Sequence, residues 1–144
     1  MKQDKDQTAA GLLARMAPVL DPHIWVYACL PPGQACPSGL SPLMTCRETE
    51  GLTLVLTEDE ARSVGLAARF PCRLITLTVP SDLEAVGFIA AIAPALADQG
   101  ISCNVVAGFH HDHLLVPAER AQDAMAALDA LSRSNSIDDG QDRP

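Results

Sequence analysis

Apolar and polar positions change period several times along this chain, and each change marks an element. Ala9, Leu12, Leu13, Met16 and Leu20 follow the i, i+3, i+4, i+7 spacing of an amphipathic helix, which Pro18 and the Asp21-Pro22 pair bring to an end. Residues 23–30, HIWVYACL, are rich in β-formers, and residues 31–42 are dense in Pro, Gly and Ser, so a strand leads into a surface loop. Two short strands meeting near Glu50 and Gly51 come next. Thr57 with Glu60 three residues on is a capping-box signature that predicts a short helix over 58–65. The stretch LAARFP separates this half from the next, with the boundary near Arg69.

In the second half Ile75, Leu77 and Val79 alternate with Leu74, Thr76 and Thr78, the pattern of a strand with a buried face, which Pro80 stops. Ser81 and Glu84 predict a second capping box. Leu83, Val86, Ile89, Ala93 and Leu96 then recur at helical spacing as far as Gly100, a suitable residue just past a helix end. Pro94 is discordant, because inside a helix it removes a backbone donor and predicts a kink. Residues 101–109 and 113–117 predict two strands joined by a turn at 110–112, and Ala121, Ala124, Met125, Leu128 and Leu131 mark a last helix. After Leu131 the polar sequence has no period, which predicts fraying or disorder. The expected organisation is a half over 1–69, a half over 70–133 and a disordered tail over 134–144.

Composition narrows the class. A chain of 144 residues can bury one ordinary core or two small halves that share an interface. With 48% hydrophobic but only 3% aromatic residues, packing falls to Ala, Leu, Val and Ile, which suits small helices lying on a sheet. Eighteen acidic against ten basic side chains give a formal charge of -8, which disfavours nucleic acid and anionic membranes as partners. No apolar run reaches the roughly 20 residues of a membrane span, and the start MKQDKDQT lacks the apolar core of a secretory signal, so a cytoplasmic protein is expected. The five cysteines are odd in number and include no CxxC pair, so free thiols are expected rather than a zinc or redox centre.

The order strand, helix, strand, strand, helix is most of a βαββαβ ferredoxin-like unit. At residues 76–117, TLTVPSDLEAVGFIAAIAPALADQGISCNVVAGFHHDHLLVP, the sequence resembles small bacterial ACT-domain proteins with two ACT-like halves. Positions 81–87, 100–104 and 111–117 carry the match, and EGLTLVL at 50–56 is similar to a segment of that family's first half. The resemblance implies an α+β fold of two packed ACT-like halves with exchanged strands. It also implies a non-catalytic regulatory protein that binds an amino acid or similar metabolite between halves or chains, as a homodimer in the latter case, without a cofactor. Relatives of this architecture include amino-acid sensors and the regulatory parts of aspartate kinases. Two complete units need twelve elements and the sequence offers five in each half, so a strand from the other half, or from a partner chain, has to complete each sheet.

Candidate site residues follow. Free backbone N–H groups at a helix start bind carboxylates well, which nominates Ser81, Asp82, Leu83, Val86 and Gly87; capping alone explains Ser81 equally well. Gly87 costs about 1 kcal/mol inside a helix, and either close packing or close approach of a ligand accounts for it. Asn104 needs partners in an otherwise apolar strand, at a sheet edge or on a ligand, with Val105 beside it. His110, His111, Asp112 and His113 look like metal ligands, yet alternation splits them between faces and leaves two histidines on one, short of a zinc set. The alternative is that Asp112, with His111 or His113 near, closes a turn or meets a ligand's ammonium group. Glu50, Gly51, Leu52 and Thr53 supply the opposite wall if the halves enclose a pocket. Cys103 with a histidine would make a nucleophile and base, but its apolar strand predicts an inert thiol, and no phosphate loop, GxSxG or HExxH motif occurs. Two other classes remain open: a metal-binding or catalytic protein using 110–113, and a ligand-free oligomerisation module.

Overall fold

One antiparallel sheet organises the chain, in a computed structural model that describes residues 7–138. The elements run α1 (Ala9–Arg15), β1 (Pro18–Leu20), β2 (Trp25–Leu30), β3 (Met44–Glu48), β4 (Gly51–Thr57), α2 (Glu58–Ser63), β5 (Ala68–Leu77), α3 (Phe88–Ala97), β6 (Asn104–Ala107), β7 (Asp112–Pro117) and α4 (Ala121–Asp138). The seven strands lie in the order β3-β4-β2-β5-β7-β6, with β1 added to β5.

Strand β5 explains how two incomplete halves become complete. Its first residues pair with β2, Ala68 with Ala28 and Arg69 with Tyr27. Its later residues pair with β7 and, from Ile75 to Leu77, with β1. The first half therefore reads β5-β2-β4-β3 across the sheet and the second β1-β5-β7-β6, the same order twice. Arg69, the expected boundary, lies inside the shared strand. Helix α1, although first in the chain, packs on α3 and α4 of the second half. In the first half, residues 31–43 stand where a ferredoxin-like unit has its first helix.

All the described helices lie on one face. Leu12, Ile92, Leu96 and Leu128 join Ile75, Leu77, Leu114 and Val116 in the larger core. Ala61 of α2 joins Val26, Leu30, Leu54 and Leu56 in a smaller one, into which Cys36 and Leu40 of the long loop insert. The alternate strand positions, Trp25, Val55, Cys72, Leu74 and Leu115, form a third cluster on the face that carries no helix. Val55, Cys72 and Leu115 are nonetheless wholly buried. Curling of the sheet brings Tyr27, Met44, Phe70 and Val106 over them. The bend falls where the β2–β5 register slips between Trp25 and Tyr27, and there Phe70 holds a φ of 60°.

Several boundaries differ from those read in the sequence. α1 stops at Arg15 because Pro18 opens β1 rather than ending the helix. β5 begins at Ala68, so LAARFP is partly strand, interrupted by the bulge. The capping box at Thr57 and Glu60 is present, but the one at Ser81 and Glu84 is not. Helix α3 starts at Phe88, behind Gly87 at φ 92°, because Ser81 turns to another partner. Gly87 is thus a left-handed cap rather than a helix-interior residue, and a Cβ there would meet only Ala9 Cβ at 3.5 Å. Helix α4 continues to Asp138 despite its polar sequence. Ser132 Oγ donates to the carbonyls of Ala14 and Met16, and Ser136 Oγ to that of Ala14, supplying the end of α1 with the donors a helix C-terminus lacks. The rest of the expected tail, 139–144, lies outside the described residues.

Candidate functional site

The hairpin β6–β7 and the loop before α3 meet because Ser81 reaches across 31 residues of sequence. Its Oγ donates to Asp112 Oδ2 at 2.9 Å, and its N–H to the His110 carbonyl at 3.3 Å. Asp112 stands first in β7 opposite Leu77 and Ala107, on the helix-bearing face, and at 8% exposure is the one buried polar or charged residue among the described residues. The loop is self-supporting: Glu84 N–H donates to Asp82 Oδ1 at 3.0 Å, and Ala85 N–H to the Asp82 carbonyl at 2.9 Å. Gln7 straps it from outside, accepting from Asp82 N–H and donating to the Pro80 carbonyl.

Between these parts lies a cavity of about 240 Å³, lined by Ser81, Asp82, Leu83, Gly87, Asp112 and the first residues of α3. The first N–H groups of a helix have no partner within it, and Gly87 brings no side chain to cap them. Phe88, Ile89 and Ala90 therefore offer backbone donors at the positive end of the helix dipole, while Asp112 presents a carboxylate from the other wall. Such a pairing suits a ligand with a carboxylate at one end and an ammonium group at the other.

The sequence-predicted residues divide among separate places. Ser81, Asp82, Leu83, Gly87 and Asp112 share this cavity. Val86 lies outside it at 75% exposure. His111 Nδ1 contacts the Val79 carbonyl at 3.3 Å, securing the turn. His113 sits on the opposite sheet face against Thr76 Oγ1 at 3.0 Å, and burial, with His111 adding to it and Asp112 opposing, holds its pKa below the ordinary value. Asn104 pairs with Leu115, so it faces away from Asp112. It opens with Thr53 on a second cavity of about 780 Å³ in the curl of the sheet, together with Tyr27, Met44, Arg69 and Phe70. Leu52 borders a further hollow beside Cys36 and Arg47. Val105 and Glu50 line none of these hollows. Gly51 is required by packing, since a Cβ would fall 2.1 Å from the Leu30 carbonyl oxygen.

Sequence reasoning missed Arg69 and Tyr27, the first because it lay in a segment read as a connector. Burial pushes the thiols of Cys72 and Cys103 up to about 12 and about 11, which leaves both protonated and unreactive at neutral pH. Among the described residues, no group of three or more His, Cys, Asp or Glu is placed to hold a metal, and no helix is long and apolar enough to cross a membrane.

Comparison with known proteins bears on both halves. One family model described as an ACT domain matches residues 8–73, and a second, also described as an ACT domain, matches 69–130. The overlap falls on the shared strand β5. A Vibrio cholerae protein of unknown function, described as a possible transport protein, is 45% identical, with a TM-score of 0.76 over 84% of this chain and 93% of its own. An Agrobacterium tumefaciens protein aligns at 20% identity and TM-score 0.70 over 82% of this chain and 90% of its own. The regulatory subunit of aspartate kinase from Thermus thermophilus, in a ligand-free form, shares the fold at 15% identity and TM-score 0.62, over 80% of this chain and 97% of its own. No curated protein matches.

Proposed function

Because the chain belongs to the ACT-domain family, with two ACT domains in one small polypeptide, we propose that it is a cytoplasmic regulatory protein that binds an amino acid at the cavity between Ser81 and Asp112. ACT domains are regulatory modules without catalytic residues of their own. The observation that carries the reading is the hydrogen bond from Ser81 to the buried Asp112 carboxylate, set beside the uncapped start of α3. The backbone N–H groups of Phe88 to Ala90 receive the ligand's carboxylate, and Asp112, exchanging its bond to Ser81, receives the ammonium group.

The surroundings favour a site completed by a second chain. Leu83, Val86 and Phe109, at 66%, 75% and 82% exposure, stand on the two loops that form the cavity's rim. A homodimer formed over them closes the cavity, and a ligand that prefers the closed arrangement shifts the population toward it.

A thermal-shift screen of the common amino acids and related metabolites tests this, since a ligand at 100 times its dissociation constant adds about 2.7 kcal/mol to stability. Asp112→Asn, which removes the charge that pairs with the ammonium group, is expected to weaken a hit about tenfold or more. A hit that survives both Asp112→Asn and Ser81→Ala at full affinity overturns the site, and the absence of any hit overturns the ligand class and leaves an oligomerisation module.

A further inference from the structure

We propose that the cavity in the curl of the sheet is a second binding site, taking a small organic monocarboxylate with an apolar or aromatic body. It lies on the helix-free face, opposite the face that carries Asp112, and both halves build it: Tyr27, Met44 and Thr53 come from the first and Asn104 from the second. Its volume of about 780 Å³ lies within the roughly 300–1,000 Å³ common for small-molecule pockets.

One wall is apolar and held in place at a cost. The Phe70 and Tyr27 rings meet with centroids 5.9 Å apart, and Met44 lies on the same cavity. Phe70 takes a φ of 60°, which for an aromatic residue costs about 1–3 kcal/mol and persists only where its surroundings over-determine it. The bulge it creates sets the side chains of Arg69 and Phe70 at the rim of one space.

The polar groups are donors without protein partners. Among the described residues, neither the Arg69 guanidinium, the Asn104 amide nor the Tyr27 hydroxyl makes a side-chain hydrogen bond or an ion pair. Tyr27, its pKa raised chiefly by burial, remains a hydroxyl donor at neutral pH. Three donors around one cavity, one of them a planar cationic fork, match a carboxylate. Glu48 sits three strands from Arg69 in the sheet order and accepts a bond from Thr53 on the same cavity. Its charge opposes a second negative group on the ligand, so a monoanion fits where a dicarboxylate or phosphate does not.

The full-length protein is titrated by amide NMR with phenylacetate and octanoate, with neutral phenylacetamide, and with the dianion phenylmalonate. Either monocarboxylate is expected to move the amides of Tyr27, Thr53, Phe70 and Asn104 saturably while those of Ser81 and Gly87 stay in place. Phenylacetamide and phenylmalonate are expected to bind at least tenfold more weakly, and Arg69→Gln to weaken the monocarboxylate by about tenfold or more. Asn104→Leu, on an exposed edge strand, gives a second reading if Arg69→Gln alters the spectrum globally. The proposal falls if neither monocarboxylate produces saturable shifts at these amides, if the shifts centre on 81–90, or if binding keeps its wild-type affinity in the variants. Amino-acid binding at the Ser81 cavity is read independently by thermal shift, so either site can fail alone.

Discussion

The two halves share a sheet order and differ in what covers it. Among the described residues, the second half carries α3, α4 and the borrowed α1, over a core of sixteen buried residues; the first has one short helix, a loop rich in Pro and Gly, and six. A loop can stand in for a helix only if its few apolar residues are held in place, since it has no internal ladder of hydrogen bonds. Here Cys36 and Leu40 enter the core, and one carboxylate, Glu60, ties the loop to α2 through the Ser41 N–H at 2.7 Å. Stability in the second half is thus spread over many packed side chains, and in the first it is concentrated in a few polar anchors and close backbone contacts.

The largest test of that contrast is a matched pair of truncations. Ile92 of α3 is wholly buried, so Ile92→Ala is expected to cost about 2–5 kcal/mol. Leu40→Ala removes a partly buried side chain from the loop and is expected to cost less than half as much, about 1–2 kcal/mol. Urea unfolding with unchanged m-values checks both, and equal losses would mean that the loop is packed as firmly as a helix.

Gly51 sharpens the other side. It joins β3 to β4 at φ 153°, and a Cβ would stand 2.1 Å from the Leu30 carbonyl oxygen and 2.8 Å from Cys29 Sγ. Gly51→Ala is expected to destabilise by about 1–3 kcal/mol, the range of a forced backbone conformation. A melting temperature equal to wild type would show that the β2–β4 contact yields freely, contrary to a first half governed by close backbone approach.

Local signals were legible in the sequence, and signals that depend on distant partners were not. Thr57 and Glu60 announce α2 correctly because both halves of that cap lie within one turn. The same spacing at Ser81 and Glu84 misleads, because Asp112 captures the serine. The polar end of α4 reads as a tail until the carbonyls of α1 are set beside its serines. β1 is hidden in three residues that begin with proline, and the start of β5 behind the bulge at Phe70. Of the candidate site residues, Ser81 and Asp112 share a cavity, whereas Asn104 faces the other way. Alternation along β7 separates them: Asp112 and Leu114 point to the helices, and Leu115, the partner of Asn104, points into the curl.

Acid separates the halves by smaller effects. Glu60 has its pKa held below the ordinary glutamate value of 4.5, first by the Ser41 N–H and further by Thr57, with burial opposing. Its folded value lies below its unfolded one, so its contribution is complete above 4.5 and is lost as pH falls through the folded value. His113 is also lowered, principally by burial, from 6.5. For a histidine the unfolded chain then takes up the proton first, so stability is full above 6.5 and declines as pH drops below it. Glu60→Gln is expected to cost about 1 kcal/mol at neutral pH, the scale of a lost cap, with the difference from wild type closing only below pH 4.5. His113→Gln cannot titrate and is expected to flatten the urea-midpoint curve just under pH 6.5, leaving its lower part unchanged. If Glu60→Gln instead flattened the upper window, the acid response of the first half would not run through the carboxylate that ties its loop to α2.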